Sequence, residues 1–268
     1  MTGVQTCALP IYPLAGGIIS VEKLSTSVPD GKTIGLLGDG LLNIIPSVNK
    51  NTKISLDDFT PLAGLVTINF LLVIHPSIPA NNLQQLISVS NKYSNELDVS
   101  VGGSSFGPTR FIWEDLKLKS KLKVRPIPFK GANSAAIEAI SGRVSASMLG
   151  IPVALPYIKT NRLRAIAVTK NTRSFLLPNV PTVEQSGIKD FNAYSYMGLF
   201  GPKNLPESIV AKYFNDLTIL YKDQALKEKL ENMGLEPSLM NQKQLIDLVK
   251  HKNEYYQGII KRAQITLE

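Results

Sequence analysis

The sequence predicts an α/β protein, and three observations support that class. Short apolar segments with the alternation typical of β-strands follow one another along the chain, separated by segments with helical apolar spacing. Strands that alternate with helices are typical of parallel βαβ units, in which helices cover the sheet. Hydrophobic residues make up 44% of the 268 residues and charged residues 19%. This composition is sufficient for one large domain or two ordinary ones.

The strands are predicted from short apolar runs that end at glycine, proline or polar turn residues. Segment 98–101 shows the pattern most clearly, because Val99 and Val101 alternate with Ser100 and the run then stops at Gly102. The predicted strands are 33–37, 59–67, 70–74, 98–101, 124–129, 144–149, 163–168 and 194–200.

The helices are predicted from apolar spacing and from residues that start or end helices. Pro108 suits the first position of a helix, where its missing N–H is no loss. Gly142 ends the predicted helix 135–141. The predicted helices are 18–24, one that begins at 108, 135–141, 152–159, 206–222, 224–233 and 242–263, together with 83–89 between two strands.

Charge and composition exclude several classes of protein. Lys and Arg total 29 against 21 Asp and Glu, a net charge of +8, but the positive residues form no single stripe, so no nucleic-acid partner is predicted. The longest apolar segment, 62–74, is shorter than the ~18 residues that a membrane span needs. Cys7 is the single cysteine, and His75 and His251 are far apart. We therefore predict no metal site and no cofactor.

The loop that follows strand 98–101 is the first candidate site. Gly102-Gly-Ser-Ser-Phe-Gly-Pro-Thr109 leads from a strand into the start of a helix. Helix starts carry free N–H groups and partial positive charge, which favours a carboxylate or phosphate. An ordinary strand-to-helix connection is the alternative. Two further small-residue loops, 38–40 and 130–134, follow predicted strands, where α/β sheets place their ligands.

Catalytic motifs are missing from the sequence. It contains no Gly-x-Ser-x-Gly, His-Glu-x-x-His, Walker or complete Gly-x-Gly-x-x-Gly motif. The neighbouring carboxylates Glu114 and Asp115 occupy consecutive helix positions and so face different ways. We predict no catalytic residue, and binding is favoured over catalysis.

Seven segments, in order and at matching spacing, resemble one family. They are Asp57-Asp-Phe-Thr-Pro-Leu-Ala63, Val73-Ile-His-Pro-Ser-Ile-Pro79, Pro128-Phe-Lys-Gly131, Leu155-Pro-Tyr-Ile-Lys159, Leu163-Arg-Ala-Ile-Ala-Val-Thr169, Leu177-Pro-Asn-Val-Pro-Thr-Val183 and Gly198-Leu-Phe-Gly-Pro202. Together they are similar to the TctC-like solute-binding receptors of tripartite tricarboxylate transporters, also called the Bordetella uptake gene family.

The resemblance implies a periplasmic-binding-protein-like fold of type II, with two α/β domains around a cleft, joined by two crossing strands. Residues 12–76 and 197–268 would form domain 1, and residues 77–196 would form domain 2. The strands would cross near 73–76 and 197–200. The domains would close by a hinge motion.

The start of the chain is expected to be incomplete. Residues 1–11 have neither the charged region nor the apolar region of a signal peptide. They resemble the translation of a sequencing-library adapter, so we expect a non-native artefact. The family's first strand, first helix and second strand, and the export signal, would then be missing from this chain.

The resemblance also implies site residues. In the family a ligand carboxylate is held mainly by backbone N–H groups and water, at the loop that corresponds to Gly102–Thr109 here. We expect Arg110, which stands where the family usually has His, either to contact the anion or to face solvent. Asp39 would line the cleft or only form a turn, and Tyr194 would present an aromatic edge or lie in the core. The predicted ligand-binding residues are Gly103, Ser104, Ser105, Thr109, Arg110, Asp39, Gly131, Ala132, Asn133 and Tyr194.

The functional hypothesis is an extracytoplasmic receptor, periplasmic in its parent protein, that binds a small carboxylate and delivers it to membrane permease subunits. It would be no enzyme. The alternative is an α/β enzyme that acts on an anionic metabolite and uses the same loop as an anion site.

Overall fold

A computed structural model describes residues 17–265 except 50, 51, 53, 93–95 and 104–106. The predicted artefact at residues 1–11 and the predicted site residues Ser104 and Ser105 lie outside the described residues. In the part that the structure describes, no helix is long and apolar enough to cross a membrane.

The structure confirms the α/β class. The strands are β1 Gly35–Gly38, β2 Phe59–Ile74, β3 Leu97–Gly102, β4 Val124–Phe129, β5 Ala146–Gly150, β6 Arg164–Val168, β7 Tyr194–Pro202 and β8 Glu236–Met240. The α-helices are α1 Ile18–Ser25, α2 Ile45–Val48, α3 Leu83–Lys92, α4 Pro108–Lys119, α5 Ala132–Ile140, α6 Ile151–Lys159, α7 Glu207–Leu220, α8 Gln224–Asn232 and α9 Gln242–Ala263.

Strand β2 runs through both halves of the molecule. Its residues 59–69 pair with β7, whereas residues 70–74 pair with β5 and β6. The sequence analysis predicted two strands here, which is wrong, because polar Thr67 and Asn69 interrupt the apolar pattern without interrupting the backbone ladder. The pairing of β2 and β7 shifts register at Pro61/Ala63 and at Gly64/Val66, and such bulges let a long strand bend.

Parallel pairing is confined to one sheet. Strand β3 pairs in parallel with β4 and with β5, while the other pairs among the described strands are antiparallel. The prediction of parallel βαβ units therefore holds only for this sheet, β6-β2-β5-β3-β4. The other sheet contains β1, β7, the first part of β2, and β8.

The carboxyl ends of β3, β4 and β5 share one edge, and this edge faces the other sheet. Gly150 at the end of β5 pairs with Phe70, the residue where β2 enters the parallel sheet. The preceding residue, Asn69, already pairs with Tyr194 in the other sheet. Loops at the ends of β3, β4 and β5 therefore lie at the boundary between the two sheets. We call this boundary, around Asn69–Phe70, Gly150 and Tyr194, the seam.

The second crossing lies beside the first. Ala193 N donates to Thr169 O at 2.9 Å, and Thr169 N donates to Phe70 O at 3.0 Å. Tyr194, the next residue, starts β7 in the other sheet. The chain thus passes between the sheets at Asn69–Phe70 and at Ala193–Tyr194.

Helix α9 joins the two halves on one side of the seam. Its Tyr256 packs edge-on against Phe111 of α4, with 5.3 Å between ring centroids. Tyr255 donates to Asp115 of α4 at 3.3 Å. Since α4 follows β3 in the parallel sheet and α9 also packs on Leu37 and Phe200 of the other sheet, the two halves share buried contacts beyond the crossing strands.

Candidate ligand site at the seam between the two sheets

The end of β3 lies directly against the start of α5. A Cβ atom on Gly102 would stand 2.7 Å from Ala132 Cα and 3.0 Å from Ala132 N. Only glycine allows this contact, because such distances leave no space for a side chain at position 102. The structure brings together two of the loops that the sequence singled out, 102–109 and 130–134.

Both helices that start here lack a side-chain cap. Gly107 precedes α4 and Gly131 precedes α5, and neither N-cap has a side-chain hydrogen bond. A Cβ atom on Gly131 would meet nothing within 4 Å, and Ala132 and Asn133 are exposed. Helix starts leave their first N–H groups without partners inside the helix. The positive ends of two helix dipoles therefore meet at the same edge.

The remaining described residues of the β3–α4 loop are held by local contacts. Gly103 has φ +111°, which favours glycine, and its N–H donates to Phe129 O at 3.0 Å. The Thr109 hydroxyl is 3.4 Å from Gly102 O, and Thr109 is buried. The hydroxyl of Thr109 thus steadies the loop, and its backbone N–H lies in the first turn of α4.

Arg110 is engaged with its own helix. Its guanidinium lies 2.9 Å from a carboxylate oxygen of Glu114, four residues on. Glu114 is buried and also has Lys117 at 3.3 Å. The sequence left two roles for Arg110, contact with the ligand anion or a position facing solvent. This geometry supports neither role, since the guanidinium balances a buried carboxylate.

Asp39 is buried behind the seam with both carboxylate oxygens occupied. One oxygen accepts from the Ser195 hydroxyl and the other from the Tyr256 hydroxyl at 2.6 Å. Burial raises the pKa of Asp39, and the nearby Lys252 ammonium opposes that shift. Asp39 therefore has an electrostatic role inside the protein rather than a free surface toward a ligand.

Tyr194 is half-buried at the start of β7, between two lysines. The Nζ of Lys252 lies 3.6 Å from the centre of its ring, and the Nζ of Lys170 lies 5.7 Å from it. Lys252 also donates to Tyr194 O at 2.5 Å. Such cation–π contacts fix the plane of the ring.

Sequence reasoning missed three charged residues at the seam: Lys170, Glu236 and Lys252. Lys170 follows β6 and pairs with Glu236 of β8 at 2.5 Å, and Asn69 donates to the same carboxylate at 2.5 Å. A signal existed only for Lys252, which repeats the buried spacing of α9: Leu245, Val249, Lys252, Tyr256 and Ile259. A lysine on the apolar side of a helix indicates a buried partner.

The fold and this geometry define a class of protein. Two α/β units share two crossing segments, and loops with uncapped helix starts face the seam between them. In the part of the chain that the structure describes, no group of three His, Cys, Asp or Glu side chains is placed to hold a metal ion. The arrangement is that of a two-domain solute-binding protein.

Comparisons with known proteins extend this assignment. The model of the tripartite tricarboxylate transporter family receptor matches residues 4–265. Protein BugT of Bordetella pertussis is 22% identical over 95% of this chain and 78% of its own length. A UPF0065 protein of Cupriavidus necator is 25% identical over 93% of this chain and 75% of its own length.

Solved structures share the fold. A protein of R. palustris with adipate has a TM-score of 0.85 at 21% identity, covering 93% of this chain and 84% of that one. MatC of Rhodopseudomonas palustris with bound malate has a TM-score of 0.78 at 23% identity, covering 92% and 85%. The chain belongs to the tripartite tricarboxylate transporter receptor family, and it is a receptor of a solute-transport system rather than an enzyme.

Proposed function

We propose that this receptor works in the periplasm and binds a small carboxylate at the seam, mainly through backbone N–H groups and water. The donors would be those of Thr109, Ala132 and Asn133, because the N–H of the predicted site residue Gly103 is already bonded to Phe129 O; the sequence-based expectation for Ser104 and Ser105 is kept. The observation that carries the proposal is the contact of Gly102 with Ala132, because it sets the end of β3 against the start of α5, while the Thr109 hydroxyl in the first turn of α4 lies 3.4 Å from Gly102 O. A carboxylate placed there would meet several N–H dipoles at once.

The relatives support carboxylates over other anions. One structural neighbour contains adipate and another contains malate. Backbone donors suit a carboxylate because they add no net charge to the site. Two described lysines lie at the seam, but Lys170 already faces Glu236 and Lys252 already faces Asp39. The ligand is thus recognised by dipoles rather than by a cluster of free cations.

Domain closure would accompany binding. The two crossings lie at Asn69–Phe70 and Ala193–Tyr194, so the pairings favour domain boundaries a few residues before the predicted 76/77 and 196/197. Small changes of backbone torsion there would rotate one domain against the other. The closed, loaded receptor would then deliver its ligand to the membrane permease subunits of the transporter.

Calorimetric titration tests the proposal directly. Adipate, malate, succinate and citrate are titrated into the protein, with adipamide as an uncharged control and inorganic phosphate as a second anion. At least one carboxylate should bind with micromolar or tighter affinity, and adipamide should not bind. Binding of phosphate alone, or turnover of an added metabolite, would contradict a carboxylate receptor.

A further inference from the structure

Lys252 is a buried lysine at the seam, and the proposed contacts with the carboxylate do not include it. Only 2% of its surface is exposed, although it lies in the middle of α9. Its ammonium donates to Tyr194 O and lies 3.6 Å from the Tyr194 ring centre. A buried ammonium is costly unless it has partners, so this contact is a specific feature of the seam.

Tyr194 offers a polar group that nothing in the described part of the chain uses. Every other described tyrosine hydroxyl near the seam has a partner: Tyr196 donates to Asn43, Tyr255 to Asp115 and Tyr256 to Asp39. The Tyr194 hydroxyl has none among the described residues, and the ring is half-buried rather than enclosed.

The position of Tyr194 relative to the anion loops follows from the sheet order. Tyr194 pairs with Asn69 of β2, the next residue Phe70 pairs with Gly150 at the end of β5 in the other sheet, and β5 pairs with β3. Three strand spacings of about 4.8 Å, about 14 Å along this path, therefore separate the Tyr194 backbone from β3. This separation suits a ligand with a carboxylate at one end and a second polar group several bonds away.

We propose that Tyr194 donates its hydroxyl to the second polar group of the ligand, and that Lys252 is the positioning residue that holds Tyr194 in place. The proposal rests on the carboxylate-receptor function and specifies its substrate class. The ligand is a dicarboxylate or a hydroxy acid rather than a monocarboxylate.

The charges that face Lys252 determine its pH dependence. They are Asp39 after β1 and Lys170 after β6. The rings of Tyr194 and Tyr255 also face Lys252, and both tyrosines stay neutral below pH 10. Burial lowers the pKa of Lys252 to about 8, Asp39 opposes that shift, and Lys170 adds to it. Above this pH the ammonium loses its proton, and the negative charge of Asp39 is no longer balanced.

A bound dianion would stabilise the protonated form of Lys252 and so take up a proton. If binding raises the Lys252 pKa by about one unit, affinity falls about sevenfold between about pH 7 and pH 9.5. Calorimetry of adipate in two buffers with different ionisation enthalpies measures this uptake. We expect a fraction of a proton at about pH 8.5 and none near pH 6.5.

Three variants separate a positioning role from a general structural role. Lys252→Met should bind adipate weakly at every pH and without proton uptake. Lys250→Met, an exposed lysine on the same helix, removes the same formal charge and should keep the wild-type profile. Tyr194→Phe should melt like wild type, because its hydroxyl has no described partner, yet bind adipate about tenfold more weakly or worse.

The outcomes are distinguishable. If wild type binds none of the carboxylates, the receptor proposal itself fails. If wild type binds and Tyr194→Phe binds equally well, the role of the Tyr194 hydroxyl is overturned, even where Lys252→Met does not fold. Equal proton uptake by wild type and Lys252→Met, or a loss of affinity in Lys250→Met as large as in Lys252→Met, would overturn the role of Lys252.

Discussion

The backbone of Gly102 at the end of β3 lies against the backbone of Ala132 at the start of α5, with space for no atom larger than hydrogen between them. This contact is the physical basis of the proposed anion site, because it sets the connection from β3 to α4 against the start of α5. It also makes position 102 sensitive to the smallest possible side chain.

Gly102→Ala should separate the two loops. The added Cβ would stand 2.7 Å from Ala132 Cα, so the loop must shift at a cost of about 1–3 kcal/mol, and carboxylate affinity should fall by about tenfold or more. Gly258→Ala is the matched control, because that glycine lies inside α9 with nothing within 4 Å of an added Cβ. It should gain about 0.5–1 kcal/mol. Unchanged affinity in Gly102→Ala would place the ligand elsewhere.

Arg110→Gln should leave ligand binding nearly intact. Its guanidinium pairs with the buried Glu114 at 2.9 Å, so we expect a loss of about 0.5–2 kcal/mol in unfolding free energy. The dissociation constant for the best carboxylate should change less than about threefold. Titration and thermal melting of the same sample measure both. A tenfold loss of affinity with an unchanged melt would instead assign the guanidinium to the ligand.

The sequence predicted the parts of the fold that depend on local pattern. Strand β3 followed from the alternation of Val99, Ser100 and Val101, and α4 from Pro108. Strand β8 was missed, because Glu236–Met240 contains residues with little preference for strands and pairs only with the distant β2. Pairing of that kind is a property of the assembled protein and has no local signature.

For the candidate site, the sequence indicated only the backbone loops. Glycine and serine after a strand, followed by a helix start, are visible in sequence, and the loops of Gly102 and Gly131 do meet. The partners of Asp39 and Tyr194 were not foreseeable, because Lys252 is over 50 positions from Tyr194 and over 200 from Asp39 in the sequence. No spacing rule relates residues that a tertiary contact brings together.

Stability should rise with pH above about pH 8. Lys252 has a pKa of about 8 in the folded protein and about 10.4 when unfolded. Because the unfolded chain binds the proton more tightly, the penalty of a buried ammonium is complete below pH 8 and is relieved as pH rises toward 10. The gain is about 3 kcal/mol at most. Above that range the buried tyrosines act in the opposite direction, since burial raises the pKa of Tyr255 and Tyr256.

Urea unfolding between pH 7 and pH 10 measures this profile. Lys252→Met removes the titrating group, so its unfolding free energy should lack the rise between about pH 8 and pH 10 that wild type shows. Lys250→Met, with its exposed lysine, should keep the wild-type rise. A decrease in wild-type stability across this interval would show that the Lys252 ammonium is more stable inside the protein than in water.

The ion pair of Lys170 with Glu236 should couple the two sheets. Lys170 follows β6 of the parallel sheet and Glu236 belongs to β8 of the other, and the two side chains are 22% and 18% exposed. Lys170→Met and Glu236→Gln should each cost about 1–2 kcal/mol of unfolding free energy, and the double variant should cost less than their sum by about 1 kcal/mol.

The control is the exposed pair Lys243–Asp247 on α9, whose side chains are 85% and 58% exposed. Its expected coupling is about 0.3–0.5 kcal/mol. Because Asn69 also donates to Glu236 at the crossing, loss of the pair should loosen the seam. Equal coupling in the two pairs would mean that Lys170 and Glu236 contribute no more than a surface contact.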